Sequence, residues 1–244
     1  LRNVVEEIAI ASGVPVPKVY VLEHEAGINA FAAGYSTSDA VVAVTRGALD
    51  RLNRDELQGV IAHEFSHVLN GDMRLNIRLI GLLFGILMLS LIGQRVLLYG
   101  RLGRSRDTTP ILLAAGVAML VGSIGVFFGR MIKAGVSRQR EYLADASAVQ
   151  FTRPPSGLAG ALKKIGGLPE GSKLQDKADA EEVSHMLFGS GASLSGMFAT
   201  HPPLVERIRR LEPAFDARQL EQLQARWRAA PPDGLAEDVA LGLA

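Results

Sequence analysis

Two uncharged stretches decide more about the fold of this chain than any other feature. Leu79–Gln94 runs for 16 residues between Arg78 and Arg95, and Thr108–Gly129 runs for 22. At about 1.5 Å of helical rise per residue, the second spans the roughly 30 Å hydrocarbon core of a bilayer. The first is short, but the arginines at its ends can snorkel to the interfaces. Gly81 with Gly85, and Gly125 with Gly129, are small-residue pairs that let two helices pack closely. A transmembrane hairpin over 77–129 is therefore the expectation. A pair of helices buried in a soluble core, or a hairpin docked on a partner, would bury the same surface. Arginines lie in the intervening loop (Arg95, Arg101, Arg104, Arg106) and outside it (Arg74, Arg78, Arg130, Arg138, Arg140), so charge bias gives no orientation.

Two crossings return a chain to the side it left, so residues before and after the hairpin can share one site. Before it stands His63-Glu64-Phe65-Ser66-His67. On a helix, histidines four residues apart project from one face and can hold one metal ion, with Glu64 on the adjacent flank to take a proton from a water. Two nitrogen ligands, an open position and a carboxylate are what a zinc hydrolase needs. The same five residues also occur in helices whose histidines merely pack. Asn53 and Glu56 form a capping-box pattern that starts the helix, expected over about 54–70, and uncharged residues fill and flank the motif. Gly71 and Asp72 offer a break. If the helix instead ran straight from His67 to Leu79, a metal would lie roughly 18 Å from the bilayer boundary.

A third ligand must come from elsewhere. In H-E-x-x-H-x-x-G-x-x-H sites it follows on the same chain segment, but here the glycine position is Asn70 and the final histidine position is Met73. After the hairpin, 133–150 reads as a helix carrying Glu141 and Asp145 four residues apart. A glutamate from a second helix can be the third ligand, with a carboxylate one turn on fixing an imidazole tautomer. An exposed acid pair facing Arg138 and Arg140 is the plainer alternative.

Elsewhere the pattern gives a helix over 1–12, strands over Lys18–Leu22 and Ala40–Val44, and a third candidate strand over 28–34. In zinc peptidases an edge strand near the metal commonly pairs with substrate backbone. Helices are expected over 157–167, 203–211 and 215–227, a loop over 168–200, and a flexible C-terminal tail over 229–244. Lys+Arg 26 against Asp+Glu 25 leaves a formal charge of +1, which gives no electrostatic case for nucleic acid. The absence of cysteine excludes disulfides, Cys-type zinc sites and thiol nucleophiles. A first residue other than methionine suggests a segment of a longer protein.

Four stretches in this order, Asn29-Ala30-Phe31-Ala32, His63-Glu64-Phe65-Ser66-His67, Arg138-Gln139-Arg140-Glu141-Tyr142-Leu143-Ala144-Asp145, and His201-Pro202-Pro203 followed by Glu206-Arg207, together resemble the M48 family of membrane-associated zinc endopeptidases. The likeness is to its HtpX-like branch, and more distantly to the CAAX-processing Ste24 enzymes, and it covers about Leu1 to Leu211. It implies an α+β, mainly helical domain of the gluzincin type over 1–228, with a small N-terminal sheet and an inserted hydrophobic hairpin. It further implies one Zn²⁺ per chain on His63, His67 and Glu141, Glu64 as general base and Asp145 supporting a ligand. His201 would stabilise the tetrahedral intermediate, Arg207 would organise the cleft, and Asn29, Ala30, Phe31 and Ala32 would bind substrate. On sequence alone, His201 would start a helix and Arg207 would be a solvated charge, while His24 and His185 match no motif. The implied activity is cleavage of membrane or misfolded proteins at a bacterial inner membrane, on its cytoplasmic side. A catalytically silent zinc-binding scaffold or chaperone, and a zinc hydrolase of non-peptide substrates, are the alternatives. The sequence specifies neither a substrate nor an oligomeric state.

Overall fold

The computed structural model of the chain describes residues 1–99, 109–172 and 201–243. Its elements begin α1 (Arg2–Ser12), β1 (Lys18–Leu22), β2 (Ala30–Ala33), β3 (Val41–Thr45), α2 (Arg46–Arg51) and α3 (Arg54–Leu69). They continue with α4 (Asp72–Tyr99), α5 (Thr109–Thr152), α6 (Ser156–Gly167), α7 (Leu204–Leu211), α8 (Ala217–Ala229) and α9 (Gly234–Leu241). The architecture is α+β and mainly helical, as expected. The chain divides into two units, Leu1–Arg74 with Ser137–Ala244, and Leu75–Val136.

In the first unit the motif helix α3 starts where its sequence says it should. Asn53 Oδ1 accepts from the Glu56 N–H at 3.0 Å and Glu56 Oε2 accepts from the Asn53 N–H at 2.9 Å, the two reciprocal bonds of a capping box. Val60, Ile61, Ala62 and Phe65 are wholly enclosed, packed with Val4, Val5 and Ile8 of α1 and Leu158, Ala161 and Leu162 of α6. The approach of α3 to α6 needs glycine on both sides. A Cβ on Gly59 would lie 2.6 Å from the Leu158 nitrogen, and one on Gly157 would collide with the Asp55 carbonyl. Gly59→Ala therefore has to push backbone from backbone, and should lower stability by about 1–3 kcal/mol, read as a reduced midpoint in thermal or denaturant unfolding. An unchanged midpoint would contradict this packing.

The strands order as β1-β3-β2, with β1 parallel and β2 antiparallel to β3. The third candidate strand thus forms, at an edge of the sheet. At the other end of α3, Gly71 takes a left-handed φ of 70° and breaks the helix before α4. The break rules out the straight helix on which the 18 Å distance depended.

The expected C-terminal tail is ordered instead. Asp233 caps α9 by accepting from the Ala236 N–H at 3.0 Å, so Pro231, Pro232 and Gly234 mark a helix start rather than a loss of structure. Asp238 Oδ1 accepts the Arg54 N–H at 2.8 Å, one of the donors left over at the start of α3. Glu237 accepts from Asn53 Nδ2 at 3.0 Å and from the buried Lys164 Nζ at 2.6 Å, which also bonds Glu56 at 2.6 Å. These contacts depend on residues more than 70 positions apart and leave no local signature. Of the loop expected over 168–200, residues 173–200 lie outside the described residues, as do His185 and the arginines at 101, 104 and 106.

In the second unit the apolar parts of α4 and α5 pack on each other through small residues. A Cβ on Gly93 would meet the Ala115 carbonyl oxygen at 2.6 Å, one on Gly122 would meet the Ser90 backbone at 2.7 Å, and one on Gly125 would meet Ile86. Ser90 Oγ reaches the Met119 carbonyl at 3.2 Å and Ser123 Oγ at 3.0 Å. Gly125 and Gly129 of α5 do face the partner helix, joined there by Gly122, but Gly81 and Gly85 have nothing within 4 Å of a Cβ, and on α4 Gly93 makes the contact instead. The large side chains point outward, with Leu82 63% and Leu113 71% exposed. The helix expected over 133–150 is the continuation of α5.

Candidate metal centre

Within the first unit, α3 and α5 bring three ligand-type atoms together. His63 Nε2 and His67 Nε2 are 3.1 Å apart, His63 Nε2 is 3.5 Å from Glu141 Oε2, and His67 Nε2 is 3.5 Å from Glu141 Oε1. A tetrahedral ion bonded at about 2.0–2.1 Å has ligand-to-ligand edges of about 3.3–3.4 Å. The triangle therefore has the size of one face of such a site. His63, Glu64 and Glu141 are buried, while the His67 side chain remains 17% exposed, so the open side of the triangle lies toward His67.

Each imidazole is turned by a carboxylate on its other nitrogen. His63 Nδ1 lies 3.0 Å from Asp145 Oδ1, and His67 Nδ1 lies 2.7 Å from Asp72 Oδ2. Asp145 in turn accepts two bonds from Arg207, 2.9 Å from Nε and 2.7 Å from Nη2, and Asp72 is bonded by Arg140. Arg207 also sets Nη1 3.3 Å from Glu141 Oε2. Far from being solvated, Arg207 is 1% exposed. Asp72 and Arg140 were not singled out for the site from the sequence. The signal lay in the glycine break at Gly71, which ends α3 and lets the very next residue, Asp72, fold back on the helix.

The carboxylates around the triangle favour positive charge on its imidazoles. Burial opposes a charge on His67, yet its hydrogen bonds to Asp72 and Glu141 outweigh burial and lift its pKa to about 10. Burial would likewise raise Glu141, but His201, followed by His63 and His67, holds it well below the ordinary carboxylate value. Asp145 is drawn down to about 2, against burial, by Arg207 and His63. For Glu64 burial prevails, and its pKa rises to about 7.

Glu64 projects from α3 toward β2, where its Oε2 accepts the Ala32 N–H at 2.9 Å. Its Oε1 is buried without a hydrogen-bond partner among the described residues, as is His201 Nε2. His201 Nδ1 sits 3.2 Å from Glu141 Oε2, so His201 stands beside the triangle. Asn29 is fully enclosed, its Nδ2 donating to the Ser172 carbonyl at 2.8 Å and its Oδ1 accepting the Ala30 N–H at 3.0 Å. Its side chain thus shapes the entry to β2. The sequence offered no sign of the Ala32 contact, since a backbone N–H carries no residue signature.

A profile of the family described as Peptidase family M48 matches residues 1–214. The chain belongs to the M48 peptidases. Among similar proteins, a "Protease HtpX homolog" of Dictyoglomus turgidum is 38% identical over 239 residues, covering 96% of this chain and 72% of that protein. One of Thermoanaerobacter pseudethanolicus is 41% identical over 218 residues, 87% of this chain and 71% of its own. One of Streptococcus uberis is 38% identical over 215 residues, with 86% and 71% covered. The solved structure titled "Crystal Structure of S. mikatae Ste24p" superposes with a TM-score of 0.51 at 18% identity, covering 86% of this chain. This chain spans 49% of that one, and the likeness supports the M48 protease fold. Family and relatives make this M48 peptidase a metalloprotease of the HtpX type, with peptide as the substrate class.

Proposed function

We propose that this M48 peptidase is a membrane-anchored zinc endopeptidase with one Zn²⁺ held by His63, His67 and Glu141. The observation that carries this reading is the triangle of ligand atoms at tetrahedral spacing with the free Oε1 of Glu64 beside it. Bound there, zinc would supply Lewis acidity, acidifying a water and polarising a peptide carbonyl. Glu64 is the general base: Ala32 fixes one carboxylate oxygen and leaves the other to accept the proton. His201 offers Nε2 to the developing oxyanion, a role typically contributing on the order of 2.7–4 kcal/mol. Asp145 and Arg207 orient His63 and brace Glu141, and Asn29 with Ala30, Phe31 and Ala32 of β2 forms the substrate-facing edge. A silent scaffold would have no use for a buried carboxylate with a free oxygen at this position.

Anchoring rests on α4 and α5, whose apolar windows have mean hydropathies of 2.2 and 2.4 and are 0% and 11% buried. Helices of that length with outward-facing apolar side chains need apolar surroundings. The peptidase domain then surrounds the hairpin and takes in the C-terminal helix α9 that docks on α3, in place of a domain ending at 228. It lies at the bacterial inner membrane with its site on the cytoplasmic side, cleaving membrane or misfolded proteins in quality control.

Zinc content and chelator-sensitive peptide cleavage, measured together in detergent, test the assignment. Wild type should carry one zinc and cleave; Glu141→Ala should lose most of both, since two imidazoles alone hold the ion poorly. Zinc retained in full by that variant would remove Glu141 from the ligand set. The pH profile is a second test. A base must be ionised, so kcat/KM should fall as pH drops through the Glu64 pKa. Burial lifts that value from 4.5 to about 7, and a neighbouring dication draws it back, so the acidic limb should centre between those values. A limb centred above 7 contradicts the assignment.

A further inference from the structure

Two His–Asp–Arg chains stand behind the candidate ligands, and the motif resemblance accounts for only one of them. His63–Asp145–Arg207 is sealed, with side-chain exposures of 0%, 7% and 2%. His67–Asp72–Arg140 repeats the pattern on the open side, at 17%, 8% and 28%. The difference matters for what each carboxylate does. The His63 ring is walled in by its neighbours, whereas the partly exposed His67 ring depends more on its hydrogen bond for its orientation.

The local backbone is built to make that bond. In a continuous helix, residues five apart point roughly 140° away from each other, so residue 72 would face away from residue 67. The left-handed Gly71 ends the helix and brings Asp72 back to His67 Nδ1. Arg140 then grips both sides of the turn, bonding the Asp72 carboxylate and donating from Nη2 to the Asn70 carbonyl at 3.1 Å. Asp72 precedes the first apolar stretch and Arg140 follows the second, so their pairing closes the loop of chain that contains both. The Asp145–Arg207 pair lies wholly beyond it.

We propose that Asp72 and Arg140 are positioning residues for the metal, holding His67 with Nε2 toward Glu141 only while the two ends of the hairpin stay paired. The proposal rests on His63, His67 and Glu141 being the ligands. It makes the orientation of His67 depend on a partly exposed ion pair between the two hairpin ends, whereas His63 is held across the hairpin by the buried Asp145.

The test is a zinc competition titration against a chromophoric chelator, on the full chain in detergent, for wild type, Asp72→Asn, Arg140→Gln and the double variant. Asp72→Asn should weaken zinc binding by about 10–100-fold, and Arg140→Gln by less. The double variant should be no weaker than Asp72→Asn alone, because both act through one imidazole. Arg140→Lys, which keeps the charge without the fork, should recover part of the Arg140→Gln loss. In cobalt-substituted protein, Asp72→Asn should alter the visible ligand-field spectrum, a readout that general destabilisation does not move. If Asp72→Asn does not fold, Arg140→Gln, at a partly exposed position, carries the test by itself. Wild-type affinity in the variants, or full additivity in the double, overturns the proposal. Wild type that binds no zinc defeats the ligand reading first; zinc bound equally by wild type and variants defeats this inference alone.

Discussion

Replacing Glu64 with glutamine should leave zinc at wild-type stoichiometry and lower kcat by about 10²–10⁴-fold, the usual contribution of a positioned general base. The substitution is nearly isosteric, and the amide oxygen can keep the bond that Oε2 now accepts from the Ala32 N–H. What changes is the other atom, Oε1, which has no hydrogen-bond partner among the described residues and would become either a donor or a poor proton acceptor. Zinc should stay because Glu64 belongs to none of the three ligand pairs. A stability measurement in excess chelator adds an independent check. A carboxyl whose folded pKa is raised to about 7 favours the folded state when protonated, and that stabilisation is lost as pH rises through the folded value. Above pH 7 the glutamine variant, which never ionises, should therefore melt higher than wild type. Cleavage at the wild-type rate by a zinc-loaded variant would place the base elsewhere.

The parts of this centre that were legible in the sequence are those that one helical turn can write. His63, Glu64 and His67 share a face by spacing, and Asn53 with Glu56 announced the helix that carries them. Glu141 and Asp145 were visible as a pair, but only family resemblance raised them above an exposed acid pair. What stayed hidden depends on contacts across long stretches of chain. Asp72 read as a break because its role follows from a left-handed glycine and from an arginine 68 positions later. On sequence grounds Gly81 and Gly85 were as good a packing pair as Gly93, since which face meets the partner is set by the rotation of the two helices. The helix α9 was concealed by its own punctuation. Two prolines and a glycine suggested a tail, and only the acids that reach α3 and Lys164 explain why it docks.

Arg207→Met should be among the most destabilising single changes in the chain, costing about 3–5 kcal/mol. Arg207 is 1% exposed, and both Asp145 oxygens point at its guanidinium from 2.7 and 2.9 Å. Removing it leaves Asp145 buried and charged near Glu141, with His63 as its remaining partner. At a first unit of this size the loss corresponds to a fall in Tm of about 6–20 °C, compared at fixed zinc or in excess chelator. The sign with pH follows from the depressed carboxyl. Asp145 sits at about 2 when folded against an ordinary value of 3.8, so its stabilisation is present above the ordinary value and is lost as pH falls through about 2. The gap between wild type and Arg207→Met should therefore be full near neutrality and close as pH falls from about 4 to about 2. Adding Asp145→Leu to Arg207→Met should restore part of the loss, because it is the unpaired charge rather than the missing bond that costs most. A single variant that melts with wild type near neutral pH would mean that Arg207 neither braces Asp145 nor holds the second helix of the site in place.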